Sequence, residues 1–105
     1  MDYSVQFSPE AQSDLLDLYD HIAEQAGEAR ALAYLERVER HCMRLAIFPE
    51  RGTLRDDLRP GLRVIGFERR IAVAFHVQGR KVTILRVLYA GRDLTGALSA
   101  PMNEE

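Results

Sequence analysis

The side chains of this sequence best suited to binding or chemistry are its arginines, which are concentrated in the second half. Ten basic residues lie between positions 51 and 92 against three acidic ones, a local net charge of +7. Thirteen of the fourteen basic residues are arginine, and the planar guanidinium binds carboxylate and phosphate through two parallel hydrogen bonds. This pattern predicts an anionic partner for that half of the chain. The plainer alternative is a dipolar surface without a partner, because residues 1–50 carry a net charge of −6.

Residues capable of acid–base catalysis are few. His76 lies at a polar position of a predicted strand, and its reference pKa would suit a general acid or base at neutral pH. Packing on the face of the strand is the default interpretation of His76. His21 and His41 fall on predicted helices and are expected at the surface or its edge, and the set is completed by Glu68 and Tyr89. The sequence has no phosphate-binding loop, dinucleotide-binding glycine motif or nucleophile elbow.

An acidic stripe runs along the first predicted helix, with spacings of 3, 3 and 4 between Asp14, Asp17, Asp20 and Glu24. Such a stripe would suit either a metal site or the docking of a basic partner. Helical metal sites of this kind recruit histidine at a set spacing, whereas His21 lies on a different face of this helix. We therefore expect a solvated polar face and no metal site.

Length and composition are those of an ordinary globular protein. The 105 residues are 47% hydrophobic and 29% charged, with a net charge of −2, and they suffice for one domain. No apolar run approaches the ~18 residues that span a bilayer, and no signal peptide is visible. The single cysteine, Cys42, excludes an internal disulfide and falls at a core spacing, where a small buried hydrophobe is expected. We expect a cytoplasmic protein without membrane contact.

The first half of the chain predicts one strand and two helices. Residues 3–7 alternate apolar and polar side chains, as a half-buried strand does. Ser8 is a good helix cap and Pro9 a good first helical residue, so a helix is expected to begin there and to run to about Gln25. After Gly27, residues 28–47 repeat apolar side chains at helical spacing, and Pro49 ends the pattern. The short break between the helices predicts an antiparallel hairpin.

The second half predicts a sheet. Residues 59–92 hold three runs rich in Val, Ile and Phe, separated by short turn-forming breaks, as in an antiparallel meander. Residues 50–60 are polar and lack periodicity, so they are expected to form an exposed connection. The predicted fold is α+β, with the order β-α-α-β-β-β and an antiparallel sheet packed against the N-terminal helical hairpin. We expect residues 1–98 to form one domain and residues 99–105 to form a flexible tail.

Four short motifs mark the boundaries of these elements. They are Phe7-Ser8-Pro9-Glu10-Ala11, Phe48-Pro49, Arg59-Pro60-Gly61-Leu62-Arg63, and Ile84-Leu85-Arg86-Val87-Leu88 followed by Gly91-Arg92-Asp93. In this order and spacing they resemble the RelE/ParE toxin superfamily of bacterial type II toxin–antitoxin modules, and its ParE branch most closely. The resemblance covers residues 2 to about 98.

The two branches imply different activities. RelE-type members cut mRNA on the ribosome, which requires a phosphate clamp and groups that move protons. Here no lysine precedes position 81. RelE-type members carry an arginine and an aromatic residue on one strand, and when Phe75 is aligned with that aromatic residue, Ala72 takes the position of the arginine. No Tyr or His follows Asp93. A ribosome-dependent endoribonuclease remains the alternative, and it would have to rebuild its site from Arg63, Arg70, Arg86 and either His76 or Tyr89.

The ParE branch implies a toxin that is not an enzyme, needs no cofactor or metal, inhibits DNA gyrase and is held inactive by a ParD-like antitoxin. Direct contact with nucleic acid is expected only in the complex with the target. A degenerate toxin that retains antitoxin binding alone is a further alternative. The cationic sheet suits antitoxin and target equally well, and the residues expected to bind one or the other are Arg59, Arg63, Arg69, Arg70, Arg86, Tyr89, Arg92 and Asp93.

Overall fold

A computed structural model describes residues 2–89, which form two helices and a five-stranded sheet. The elements in chain order are β1 Ser4–Phe7, α1 Pro9–Ala26, α2 Glu28–Met43, β2 Thr53–Leu54, β3 Arg63–Phe67, β4 Ile71–Gln78 and β5 Lys81–Tyr89. The predicted α+β class and the N-terminal helical hairpin are confirmed. The expected tail at 99–105 lies outside the described residues, as do Arg92 and Asp93.

The sheet differs from the prediction at its two edges. The strand order is β1-β5-β4-β3-β2; β3, β4 and β5 pair antiparallel as expected, and the unexpected β2 also pairs antiparallel with β3. β1 joins β5 in parallel, so the whole sheet is mixed. The helical hairpin that follows β1 supplies the long crossover that parallel pairing needs. β2 is a two-residue strand inside the connection that was expected to have no regular structure, too short to leave a periodic signal.

Both helices begin and end where local chemistry places them. The Ser8 hydroxyl accepts a hydrogen bond from the Ala11 amide at 3.0 Å, and Pro9 occupies the first turn, as predicted. Gly27, with φ of 95°, separates α1 from α2. α2 is shorter than expected because its last predicted turn tightens into a 3-10 turn at Arg44–Ala46.

The main core lies between the helical hairpin and one face of the sheet. Its fully buried members include Val38 and Cys42 of α2 and Phe75 of β4, so the predicted burial of the single cysteine is confirmed. Burial raises the pKa of the Cys42 thiol to about 12, which leaves it unreactive at neutral pH. A second, smaller cluster contains Leu62 and Ala74 on the opposite face, since Ala74 alternates with Phe75 along β4.

An extra residue in β5 is tied to the start of α1. The register steps from Phe75↔Ile84 to Ala74↔Arg86, so Leu85 forms a bulge. The Ser8 hydroxyl donates to the Leu85 carbonyl at 2.9 Å, and the Ser8 amide donates to the Ile84 carbonyl at 2.9 Å. One serine therefore caps α1 and also satisfies the irregular point of the strand beside it. Within residues 2–89 neither helix has the length and apolar composition of a membrane span.

Candidate binding site

The densest group of functional side chains lies on α2. Arg30, Tyr34, Arg37 and His41 lie along one face of α2, and Arg44 of the following 3-10 turn continues the spacing of 4, 3, 4 and 3. We call this set the basic–aromatic stripe. The buried residues of this segment each follow a member of the basic–aromatic stripe by one position. The buried face of the helix therefore lies directly beside the stripe.

The hairpin turn between β3 and β4 lies across the stripe. Glu68 accepts two hydrogen bonds from Arg37, at 3.2 Å from Nε and 3.1 Å from Nη2. The Phe67 ring lies beside two aromatic members of the stripe, with centroids 6.1 Å from Tyr34 and 4.8 Å from His41. Two clefts therefore lie along the stripe, one on each side of the Arg37–Glu68 pair.

The turn itself holds two ordinary residues in a conformation that glycine usually adopts. Glu68 and Arg69 have φ of 52° and 60°, and the Arg70 amide donates to the Phe67 carbonyl at 3.1 Å. This is the geometry of a type I′ turn, whose central positions usually carry Asn and Gly. The left-handed conformation costs a residue with a side chain on the order of 1 kcal/mol. In return the turn presents Glu68 to α2 and leaves Arg69 and Arg70 exposed.

The larger cleft has a volume of about 560 Å³ and lies between the C-terminal end of α1, α2, the β3–β4 turn and the end of β5. Among residues 2–89 its charged lining consists of Arg30, Arg37, Arg70 and Glu68, three cations against one anion. The rest of its lining is apolar or aromatic, contributed by Ile22, Ala26, Ala33, Tyr34 and Tyr89. A cleft of this size and composition suits a ligand with both an apolar and an anionic part.

Tyr34 is the unusual member of this lining. Its hydroxyl oxygen is buried and has no hydrogen-bond partner among the described residues. Burial, reinforced by the charge of Glu68, raises the pKa of Tyr34, although Arg70 and Arg37 oppose the shift. The phenol is therefore protonated at neutral pH and is able to donate a hydrogen bond. A buried polar group without a partner costs free energy.

The smaller cleft, about 140 Å³, lies on the other side of the Arg37–Glu68 pair and includes Arg40, His41 and Arg44. The His41 Nε2 atom is also buried without a partner in the described part of the chain. Burial lowers the pKa of His41, and the nearby charges of Arg44 and Arg51 lower it further. The imidazole is consequently neutral at physiological pH, and it packs against Phe67 rather than acting as another cation.

Arg86, one of the predicted docking residues, is already engaged within the protein. Its Nε and Nη2 atoms donate to the two carboxylate oxygens of Asp14 at 2.8 and 2.9 Å, and the Val87 amide donates to Asp14 at 2.8 Å. The side chains of Asp14 and Arg86 are 7% and 16% exposed. Pairing with Asp14 raises the pKa of Arg86. The expectation of a solvated acidic stripe is therefore wrong for Asp14, which belongs to the interior.

The structure separates the other predicted docking residues into two groups. Arg69 and Arg70 lie at the β3–β4 turn, and Tyr89 lines the larger cleft, where the His21 ring meets it edge-on at a centroid distance of 4.9 Å. Arg59 and Arg63 are half-buried and lie at the other end of β3. Their role in binding stays a prediction, as does that of Arg92 and Asp93.

Several residues at the site were missed from the sequence. The 4-3-4-3 spacing of the stripe is visible in the sequence, but it was not interpreted as a binding face. Asp14 also left a signal, because it lies among Ala11, Leu15 and Leu18 on the apolar face of α1. A carboxylate at such a position requires a buried donor. Within residues 2–89, no group of three or more His, Cys, Asp or Glu side chains could hold a metal ion.

Comparison with known proteins decides the family. The family described as "ParE toxin of type II toxin-antitoxin system, parDE" matches residues 5–94. The chain belongs to this family. The curated Toxin ParE3 of Caulobacter vibrioides is 36% identical over 85 residues, which cover 81% of this chain and 84% of that protein. The resemblance inferred from the short motifs is therefore confirmed, and the protein is a type II toxin of the ParE family.

Solved structures support the same fold. A chain of the chromosomal ParDE toxin–antitoxin system of P. aeruginosa aligns with a TM-score of 0.73 and 27% identity, covering 83% of this chain and 95% of its own length. A chain of the RelBE2 toxin–antitoxin complex of Mycobacterium tuberculosis aligns with a TM-score of 0.64 and 23% identity, covering 88% and 95%. The second likeness concerns the fold alone. Both structures come from toxin–antitoxin systems.

Proposed function

We propose that this member of the ParE family is a non-enzymatic, cytoplasmic toxin that inhibits DNA gyrase and is neutralised by a ParD-like antitoxin. The family suggests DNA gyrase as the target, and the contacts of the described residues support a toxin that acts without catalysis. Growth arrest follows when the antitoxin is absent, because a poisoned gyrase blocks replication.

The observation that carries the non-enzymatic part is the Asp14–Arg86 pair. A ribonuclease site rebuilt in the sheet would draw on Arg86 together with Arg63 and Arg70, and the Arg86 guanidinium has two of its donors directed at Asp14 in a largely buried position. Releasing Arg86 to a phosphate would leave the Asp14 carboxylate buried without its charge partner, which costs ~3–5 kcal/mol. The pair therefore disfavours the ribonuclease alternative for this chain.

The remaining acid–base candidates support the same proposal. Tyr89, one of the two candidate proton donors of a ribonuclease, packs against the His21 ring at the larger cleft. His76 lies on β4 opposite Thr83, four residues along the strand from Ala72, which stands where RelE-type members carry an arginine.

The decisive experiment combines two assays on the purified toxin. DNA gyrase supercoils a relaxed plasmid in the presence of increasing toxin, while ribosomes translating a defined mRNA receive the same toxin. Inhibition of supercoiling, relieved by a ParD-like antitoxin, is the expected result. Unaffected supercoiling together with mRNA cleavage would establish the ribonuclease instead. The absence of both effects, with antitoxin binding intact, would identify a degenerate toxin.

A further inference from the structure

The strand β1 lies at one end of the strand order, so its outer side is an edge of the sheet. The Ser4 and Ser8 amides each donate to a carbonyl at or just before β5, both at 2.9 Å. In parallel pairing the backbone groups of alternate residues face the neighbouring strand. Tyr3, Val5 and Phe7 therefore direct their amides and carbonyls away from β5, toward the outer edge.

Two of these outward groups are already bonded within the chain. The Tyr3 amide donates to the Ala46 carbonyl at 2.7 Å, and the Phe7 carbonyl accepts a hydrogen bond from the side-chain amide of Gln12 at 3.1 Å. The groups that remain are the Tyr3 carbonyl, both backbone groups of Val5 and the Phe7 amide. Within the described part of the chain no further strand lies beyond β1 to bond them.

These open groups match those of a second copy of the same strand. When two copies of β1 run antiparallel with their Val5 residues opposite each other, each Val5 amide faces the Val5 carbonyl of the other copy. Two positions further out, each Phe7 amide faces the Tyr3 carbonyl of the other copy. The bonds that would complete the ladder need the Tyr3 amide and the Phe7 carbonyl, which are the two groups already satisfied inside each copy. The open donors and acceptors thus pair completely around a twofold axis, with two bonds at Val5 and two between Phe7 and Tyr3.

We propose that the outer edge of β1 is a self-association surface, through which two copies of this chain join their sheets antiparallel across Val5. Apolar side chains border this edge, since Ile47 and Phe48 directly follow Ala46 and are 58% and 68% exposed. Residues 3–9 carry no charge, so they lack the charged side chains with which edge strands commonly repel another strand.

The charges at the two ends of β1 favour the antiparallel arrangement. At its start Ser4 pairs with Lys81, and Lys81 and the exposed Arg80 outnumber the one nearby acid, Asp2. At its other end Glu10 lies in the first turn of α1. Antiparallel pairing places the basic end of each copy alongside the acidic end of the other, and opposite charges that meet across an interface fix its register. The charge pattern of the edge therefore complements a second copy of itself.

Sedimentation equilibrium of the purified full-length chain, up to several hundred micromolar, measures this association. A short edge predicts a weak dimer, with a dissociation constant of about 10 μM or above. Val5→Pro removes an outward amide and leaves the bonds to β5 in place, as an edge strand tolerates. Phe48→Glu adds a charge beside the edge, and each of the two variants should weaken the dimer at least about tenfold.

Leu32→Glu is the matched control for the added charge. Leu32 is 55% exposed and lies roughly 20 Å from Ala46 along α2, so this variant should dimerise like the original chain. Circular dichroism checks that each variant is folded. Phe48→Glu changes a side chain that is already exposed, so it tests the edge even where Val5→Pro does not fold.

A disulfide trap tests the register. In the proposed pairing Ser4 of one copy lies opposite Gln6 of the other, with Cα atoms about 4.5 Å apart, which a disulfide can bridge. Two Ser4 residues, or two Gln6 residues, lie about 8 Å apart and are out of reach. Under oxidation a mixture of Ser4→Cys and Gln6→Cys should therefore form a cross-linked dimer, whereas neither variant should do so alone. The buried Cys42 does not take part.

Three outcomes would overturn the proposal. The first is a chain that stays monomeric at every concentration, which would leave the edge to a strand of another protein. The second is a dimer that Val5→Pro and Phe48→Glu do not weaken, since the copies would then meet through another surface. The third is cross-linking of Ser4→Cys alone as readily as of the mixture, which would exclude the register centred on Val5. None of these results depends on whether the protein inhibits gyrase.

Discussion

The substitution Asp14→Ala tests whether Arg86 is a structural residue or a docking residue. It removes the acceptor of three hydrogen bonds, two from the Arg86 guanidinium and one from the Val87 amide, with donor–acceptor distances between 2.8 and 2.9 Å. The site is largely closed to water, because the Asp14 and Arg86 side chains are 7% and 16% exposed. The substitution therefore leaves a cation and an amide without partners in the interior.

The cost follows from that burial. Removing one partner of a buried pair costs ~3–5 kcal/mol, because the remaining charge is left uncompensated. A domain of this size has a total stability of ~5–15 kcal/mol, so the loss is a large share of it. By contrast, the Arg37–Glu68 pair has the same two-bond geometry but is 47% and 42% exposed, so solvent screens it and its removal is expected to change stability far less.

Urea unfolding followed by circular dichroism measures both effects on one scale. Asp14→Ala and Arg86→Met are each expected to lower the free energy of unfolding by ~3 kcal/mol or more. The double variant Asp14→Leu with Arg86→Met is expected to recover part of the loss, since it buries no unpaired charge but still leaves the Val87 amide without its acceptor. Glu68→Gln provides the matched exposed control. The thermal midpoint should fall by at least about 12 °C for Asp14→Ala.

The reasoning would be refuted if Asp14→Ala cost no more than Glu68→Gln, or if the double variant were as unstable as the two single variants combined. In either case Asp14 and Arg86 would be energetically independent. Arg86 would then be available to a partner or a phosphate, and the case against a ribonuclease would lose its main support.

Four further substitutions test other parts of the structure. Tyr34→Phe removes a buried hydroxyl without a described partner and should raise the free energy of unfolding by roughly 1 kcal/mol; a loss of stability would show that the hydroxyl is bonded. Arg69→Gly places glycine at a position with φ of 60°, where a side chain is strained, and should raise the free energy of unfolding by about 0.5–1 kcal/mol. Arg80→Gly, beside the left-handed Gly79, should lower it. Burial lowers the pKa of His41 below its ordinary value of 6.5, so the unfolded chain binds more protons than the folded one, and the free energy of unfolding falls as the pH drops through 6.5. In urea titrations between about pH 7 and 5, His41→Gln should make the free energy of unfolding depend less on pH. Ser8→Ala removes the cap of α1 and the hydroxyl bond to Leu85, costing about 1–2 kcal/mol by thermal unfolding, and an unchanged midpoint would contradict the double role.

The features predicted well from the sequence are those decided by neighbouring residues. Ser8 and Pro9 begin α1 because capping depends on a few adjacent amides, and the burial of Cys42 follows from helical spacing. The β4–β5 turn is signalled by Gly79, whose φ of 61° suits glycine. The family resemblance rested on motifs of the same local kind, and it led to the correct family.

The features that were missed depend on residues far apart in the chain. Asp14 meets Arg86 across 72 positions, and Arg37 meets Glu68 across 31, so neither pair has a periodic signature. The parallel pairing of β1 with β5 is equally remote. The net charge of each half of the chain favoured the sheet as the docking surface. The arginines of α2 gave no such signal, because the acidic residues of the first half outnumber them.

The bonds between the start of α1 and the bulge of β5 bear on the order in which the protein folds. They join residues 72 to 77 positions apart, and β5 is also the strand that pairs with β1. A chain still being synthesised therefore holds β1 and Asp14 without their partners until Lys81–Tyr89 has been made. Contacts this remote slow folding, since the loop between them must close first. Premature termination before β5 would leave β1 and Asp14 without these partners, so toxicity should require a chain that extends through β5.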